Sequence, residues 1–331
     1  MSRARMRPPH SSHTLRATLL VVLSACCFGS ISPLTVFALK SGAALQAIQA
    51  VRYLTAALLL IGVAAWRQTR NREPVPSTPA RAIPWYSPRV LLIAGGGQAS
   101  VATLALLALR WIPAATAAFM FYTYPAWVAL MSAARGIEPL DRVRVLALLL
   151  SLGGIAAMVG APSAASMSPV GIGVILAAAL VYALYIPVLN GLQRHRPPLD
   201  VARAISVGGA IIFLIWALAT GTLFAHFDAP SLAASALQGV LSTGAFLGFL
   251  AGLAQLGAVR TAITSTVEPF WTTMVGVVWL GQPLSVGTLI GGAAIMGAVL
   301  LLQRPVVSSG GLHSSESDMA DRSGRLPPED S

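Results

Sequence analysis

Residues 121–140 read FYTYPAWVALMSAARGIEPL, and residues 265–284, at a fixed offset of 144, read STVEPFWTTMVGVVWLGQPL. Pro125 falls on Pro269, Trp127 on Trp271, Pro139 on Pro283 and Leu140 on Leu284; farther on, Gly153 falls on Gly297. The segments upstream align at an offset of 154, with Phe28 on Tyr182, Pro33 on Pro187 and Lys40 on Arg194. Chance supplies one or two such matches between apolar sequences. Two Pro-x-Trp motifs, each followed at equal distance by a second proline, mark an internal duplication.

The chain around these motifs has 331 residues, of which 56% are hydrophobic and 10% charged, with a mean hydropathy of +0.74. Globular chains carry roughly 25% charged residues, so the apolar surplus here has to face something other than water. That composition excludes a soluble enzyme, a disordered chain and a nucleic-acid binder. The net charge of +11 does not reverse this, because the cations, 21 of the 22 being Arg, fall in short loops and tails rather than in one patch. Cys26 and Cys27 are adjacent inside an apolar run and make no disulfide framework. The class is an all-α polytopic membrane protein.

A bilayer core of about 30 Å needs about 20 apolar helical residues. Residues 17–39, 90–109 and 111–134 are charge-free, and 41–66 is interrupted only by Arg52. The runs 145–193, 204–259 and 261–303 are each long enough for two passes and carry Gly- or Pro-containing breaks near residues 160, 228 and 282. The sum is ten transmembrane helices. Nineteen of the 22 cations fall on one side of that topology, with Lys40 and Arg110 opposite and Arg52 inside a span. The positive-inside rule makes both termini cytoplasmic. Leu23-Ser24-Ala25-Cys26 matches a lipoprotein cleavage box, but the apolar run continues to Leu39, beyond the 7–15 residues of a secretory segment; an uncleaved first helix is expected. Residues 1–14 form a cytoplasmic tail, 15–161 and 169–303 the two five-helix units, and 307–331 a Ser-, Gly- and Asp-rich tail expected to be disordered.

Five helices per unit is odd, so the second unit is inverted relative to the first. The loop around Glu138 carries three Arg and its counterpart around Gln282 none, as inversion requires. Inverted repeats are a mark of secondary transporters, with the site near the midplane between the halves.

The order of these features resembles the EamA-type transporters of the drug/metabolite transporter superfamily: an apolar first helix, Arg52 in the second, prolines in helices 4 and 9 and a short polar turn after each, over about residues 15–303. In that family the turn is usually Gly-Glu; here the first copy keeps Glu138 and the second has Gln282. The resemblance implies export of small metabolites or drugs across a bacterial inner membrane.

Two ionisable residues lie deep in spans, Arg52 and Glu268, each roughly 10–13 Å from a helix end. They form either a structural ion pair or a site in which Glu268 takes a substrate amine or a proton and Arg52 is its partner or a carboxylate anchor. Pro125 and Pro269 interrupt their helices, either as packing kinks or as gating breaks. Tyr122, Tyr124, Trp127, Phe270 and Trp271 cluster around them, and Tyr124 and Trp271 are expected to line a pocket. Gln98 is a deep amide able to bond substrate or a neighbouring helix. Glu138, among Arg135, Arg142 and Arg144, reads as a loop ion pair. Gly244, Gly248 and Gly252, and Gly287 and Gly291, permit close helix contact, within the chain or at a homodimer seam. No metal spacing occurs, all five His fall in tails or loops, and a single Lys leaves no Walker lysine, so no cofactor is implied. The expected partners are a small-molecule substrate and the lipid bilayer. The expectation is a secondary transporter of amino acids or related compounds, not an enzyme. The alternatives are a lipid-modifying membrane enzyme and a non-transporting sensor or assembly partner.

Overall fold

The computed structural model describes residues 11–70, 83–112, 114–138, 140–160, 168–223, 227–281 and 285–302. The turn residues Pro139, Gln282, Pro283 and Leu284, most of the Arg-rich loop after residue 70 and the C-terminal tail lie outside them. Among the described residues there is no strand. The helices are α1 (Ser11–Lys40), α2 (Leu45–Arg70), α3 (Pro88–Leu91), α4 (Gly97–Ala108), α5 (Ala114–Phe121), α6 (Tyr124–Ala134), α7 (Arg142–Val159), α8 (Pro169–Gln193), α9 (Pro198–Ala219), α10 (Ala229–Leu256), α11 (Ala258–Thr264), α12 (Val267–Leu280) and α13 (Val286–Leu301). A π-helical turn, Leu92–Gly96, joins α3 to α4.

Eight helical stretches are long and apolar enough to cross a membrane, and α13 is a shorter apolar helix. The expected run at 261–281 appears instead as α11 and α12, each below spanning length, because Pro269 cannot donate to the carbonyl four residues back. The same interruption separates α5 from α6 at Tyr122-Thr123, just before Pro125. Pro33 and Pro187, matched in the duplication, both sit inside long helices.

The packing repeats the duplication. Helix α1 lies on α10 as α8 lies on α4; α1 meets α12 as α8 meets α6; and α2 with α9, and α7 with α13, pair across the two units, α1–α7 and α8–α13. Even the caps correspond. Asp141 accepts from the Arg144 amide at 2.8 Å to start α7, and Ser285, 144 residues on, accepts from the Thr288 amide at 3.1 Å to start α13.

Small residues set the contacts and large ones face outward. A Cβ on Gly154 would meet the Gly291 carbonyl at 2.7 Å, and one on Gly248 would meet the Leu20 carbonyl at 2.7 Å. The stripes on α10 and α13 are therefore used inside the chain. Val278 is 87% exposed and Leu92 69%, an outward apolar surface that suits lipid.

Candidate functional site

The paired breaks lie side by side. In α11 the Thr266 amide turns from the carbonyl four residues back to that of Ile263, at 3.1 Å. The Ala262 carbonyl thus released accepts from the Tyr124 hydroxyl at 3.4 Å. Tyr124 opens α6 next to Pro125, so the break of one unit is tied to the break of the other. Both Tyr124 and Pro125 are buried.

Glu268 opens α12 beside Pro269. Its carboxyl lies among the hydroxyls of Tyr122, Tyr124 and Tyr182, with that of Tyr122 in hydrogen-bonding reach. The Tyr124 and Tyr182 rings meet edge to face at 4.7 Å, and Phe121 stacks on Tyr182 at 5.6 Å. These groups approach closely because α1 presents Gly29 to α12. A Cβ there would meet the Glu268 carbonyl at 2.9 Å and the Thr272 hydroxyl oxygen at 2.8 Å. Thr272 donates to the Gly29 carbonyl at 3.1 Å.

Arg52 is buried in α2, its charge still acting on Glu268, but no contact of 4.0 Å or less joins the two. The structural ion pair entertained from sequence is therefore not formed. Arg52 Nε donates to Ser242 at 2.7 Å, Nη1 donates to Gln49 at 3.4 Å, and the guanidinium carbon stands 5.0 Å from the centre of the Tyr53 ring. Ser242 in turn donates to the Gln238 carbonyl, and Thr35 bonds the Gln238 amide oxygen. This network holds the cation without neutralising it, and cation–π contact with Tyr53 offsets part of its desolvation.

A cavity of about 270 Å³ adjoins Glu268. It is lined by Ser32 of α1, Ala118 and Tyr122, Ile155, Met158 and Val159 of α7, and Pro269, Thr272 and Thr273 of α12. Pockets for drug-sized ligands run about 300–1,000 Å³, so this one suits a smaller molecule. A larger groove of about 570 Å³ lies between α1 and α10. Its lining is apolar except for Arg67 and Cys27, and it holds none of these polar groups.

The remaining sequence candidates fall around this centre rather than in it. Trp271 is 39% exposed and donates its indole N–H to Ser30 at 2.9 Å. Two residues beyond Pro269 is about 200° around a helix, so the indole points away from the cavity that Pro269 lines. Trp127 is exposed to the same 39%. Gln98 is half-buried in α4, two residues past the π-helical segment. The Tyr185 hydroxyl donates to the Ala94 carbonyl within that segment. Glu138, expected in a loop ion pair, instead caps a helix of the other unit: its Oε1 accepts from the Ala258 amide at 2.8 Å. Tyr182, Tyr53, Ser242 and Gln238 were not anticipated. The one signal was the offset-154 match of Phe28 with Tyr182.

Among the described residues no group of His, Cys, Asp and Glu could hold a metal ion. No curated protein matches the chain. Among 29 solved chains that do match, one crystal structure aligns over 86% of this chain and 95% of its own, at TM-score 0.67 and 20% identity, a likeness of fold. The model of the EamA-like transporter family matches twice, at residues 15–160 and 169–304, one match per structural unit. With a family match over most of its length and a multi-pass apolar helical bundle, the chain belongs to the EamA-like transporter family.

Proposed function

We propose that the chain is a secondary transporter that exports small metabolites bearing both an amine and a carboxylate, amino acids or close relatives, across a bacterial inner membrane, and that it performs no covalent chemistry. The observation that supports this reading is the Glu268 carboxyl set among three tyrosines at the paired helix breaks, beside a small cavity lined by its neighbours Tyr122 and Pro269, with Arg52 held apart from it. Glu268 takes the ammonium, the tyrosine rings stack on the rest of the cation, and Arg52 takes the carboxylate. Gln98 offers a further amide near the same depth.

In this reading ten spans form two inverted units, with the Arg-rich loops and both termini in the cytoplasm, and these groups lie near the bilayer midplane. Pro125 and Pro269 supply the bends about which the units rock to open the cavity to either side. Glu268 is the carboxylate through which proton coupling would run.

The test is flux from proteoliposomes holding the purified chain and a panel of labelled amino acids, nucleosides and cationic dyes. Saturable efflux of one or more amino acids above empty liposomes is expected. No difference from empty liposomes across the panel would refute the transporter reading.

A further inference from the structure

We propose that Glu138 is a positioning residue of the transport cycle: its carboxylate latches the turn after α6, in the first unit, onto the start of α11, in the second, and holds the Arg-rich end of the bundle shut. This rests on the reading of the chain as an alternating-access transporter.

The latch is built from two residues 120 positions apart. Glu138 Oε1 accepts from the Ala258 amide at 2.8 Å, satisfying one of the donors left free at a helix start. Gly257 has a φ of +79°, and a Cβ there would meet Glu138 Oε1 at 2.7 Å. Both the backbone and the space require glycine at 257. The other side-chain caps among the described residues, from Ser87, Asp141, Asp228 and Ser285, are local, each reaching an amide three residues on. They persist however the units move. The Glu138 cap crosses between units, so it exists only while their ends are together.

Its surroundings argue against a passive role. Glu138 Oε2 is buried and accepts nothing among the described residues. The charges near Arg260, on the adjoining turn of α11, are those of Arg144, Asp141 and Glu138. A helix start satisfied for stability alone does not need a carboxylate whose second oxygen is buried without a partner, which costs desolvation. A bond that is strong in one state and released into water in another does use one.

The latch also acts on the site. Ala258 begins the broken rod that carries Glu268 ten residues on, and the 270 Å³ cavity lies beyond Glu268, among Thr272, Thr273 and the C-terminal end of α7. Ala258 and the cavity thus lie on opposite sides of Glu268 along that rod. In the duplication Glu138 corresponds to Gln282, an uncharged amide, so a charge-assisted bond is available at one end only.

The test is a spin-label distance measurement in proteoliposomes between Arg135→Cys and Gln255→Cys, both at exposed positions, in a Cys26→Ser, Cys27→Ser background. Glu138→Ala should raise the ratio of long to short distances about tenfold, the loss of one charge-assisted hydrogen bond. Glu138→Gln, which keeps an acceptor oxygen, should fall between, and Gly257→Ala, which breaks the contact sterically, should match Glu138→Ala. An unchanged distance distribution in Glu138→Gln and Gly257→Ala, or lowered thermal stability with no lengthening, overturns the latch. Absence of flux in the unsubstituted chain would instead count against the transporter reading and leave the distance shift as a separate result.

Discussion

Replacing Glu268 by Gln keeps the side chain's shape and one acceptor oxygen while removing the charge. The carboxyl is not ion-paired with Arg52, which bonds Ser242 and Gln49 instead, so its oxygens are available to a substrate ammonium. Two unit charges 4 Å apart interact by about 4 kcal/mol at an effective dielectric of 20. That is a ceiling, because the ammonium gives up water to enter a cavity of about 270 Å³. The net worth of a hydrogen bond to a charged group, about 1.5–3 kcal/mol, is the better guide. At about 1.4 kcal/mol per decade it corresponds to roughly a 10- to 150-fold loss of affinity, and the retained acceptor keeps Gln toward the lower end. The assay is counterflow in proteoliposomes, giving an apparent KM for a transported amino acid and an inhibition constant for its analogue lacking the amine. Glu268→Gln should weaken the amino acid by the stated factor and leave the amine-free analogue nearly unchanged. An equal loss for both would mean that Glu268 supports the fold of the site rather than the amine.

Two further outcomes follow from the packing and the second pole. Arg52→Met should weaken the amino acid in the same assay while sparing its decarboxylated amine; equal weakening of both would remove Arg52 from carboxylate recognition. Gly95→Ala drives a Cβ into the backbone of Gly208, which cannot step aside as a side chain can, so a loss of about 1–3 kcal/mol is expected. A melting temperature in detergent equal to that of the unsubstituted chain would show that this helix contact has slack.

The spans were legible because a bilayer imposes length and apolarity on each of them, and the duplication because Pro125 and Pro269 are chemically distinctive. What stayed hidden has backbone partners or depends on rotation about a helix. Glu138 sits beside Arg135, Arg142 and Arg144 in sequence, so an ion pair was the natural expectation. Its partner is the amide of Ala258, which every residue but proline possesses, and Gly257 was the only trace. Trp271 shares a motif with Pro269, yet the 200° between them puts one on the outer surface and the other on the cavity. Tyr182 lies in the apolar run of α8, where an aromatic residue reads equally well as a lipid contact; only the fold brings it onto Tyr124. Arg52 and Glu268 were legible as deep charges, but depth fixes one coordinate, and the separation that leaves each available came from Ser242 on α10.

In the proposed reading the duplication also accounts for a dipolar site. At an offset of 144, Tyr124 and Glu268 are the same position in the two units, and the fold brings both into one cluster. At an offset of 154, Arg52 corresponds to Ser206, which is fully buried. A faithful repeat would place two carboxylates at the breaks, close enough that one would be driven to its neutral form, and a second buried guanidinium beside α9. Packing requires the two units to be alike, as the shared helix pairings and the matched caps at Asp141 and Ser285 show. Binding an ammonium at one end of a molecule and a carboxylate at the other requires them to differ. The chain meets both demands by keeping the prolines and caps in register and letting two matched positions diverge. Arg52 stays in one unit and Glu268 in the other, each matched in the repeat to an uncharged residue. If that account is right, Tyr124→Glu should cost more transport than Tyr124→Phe, because it restores the symmetry that the site depends on breaking.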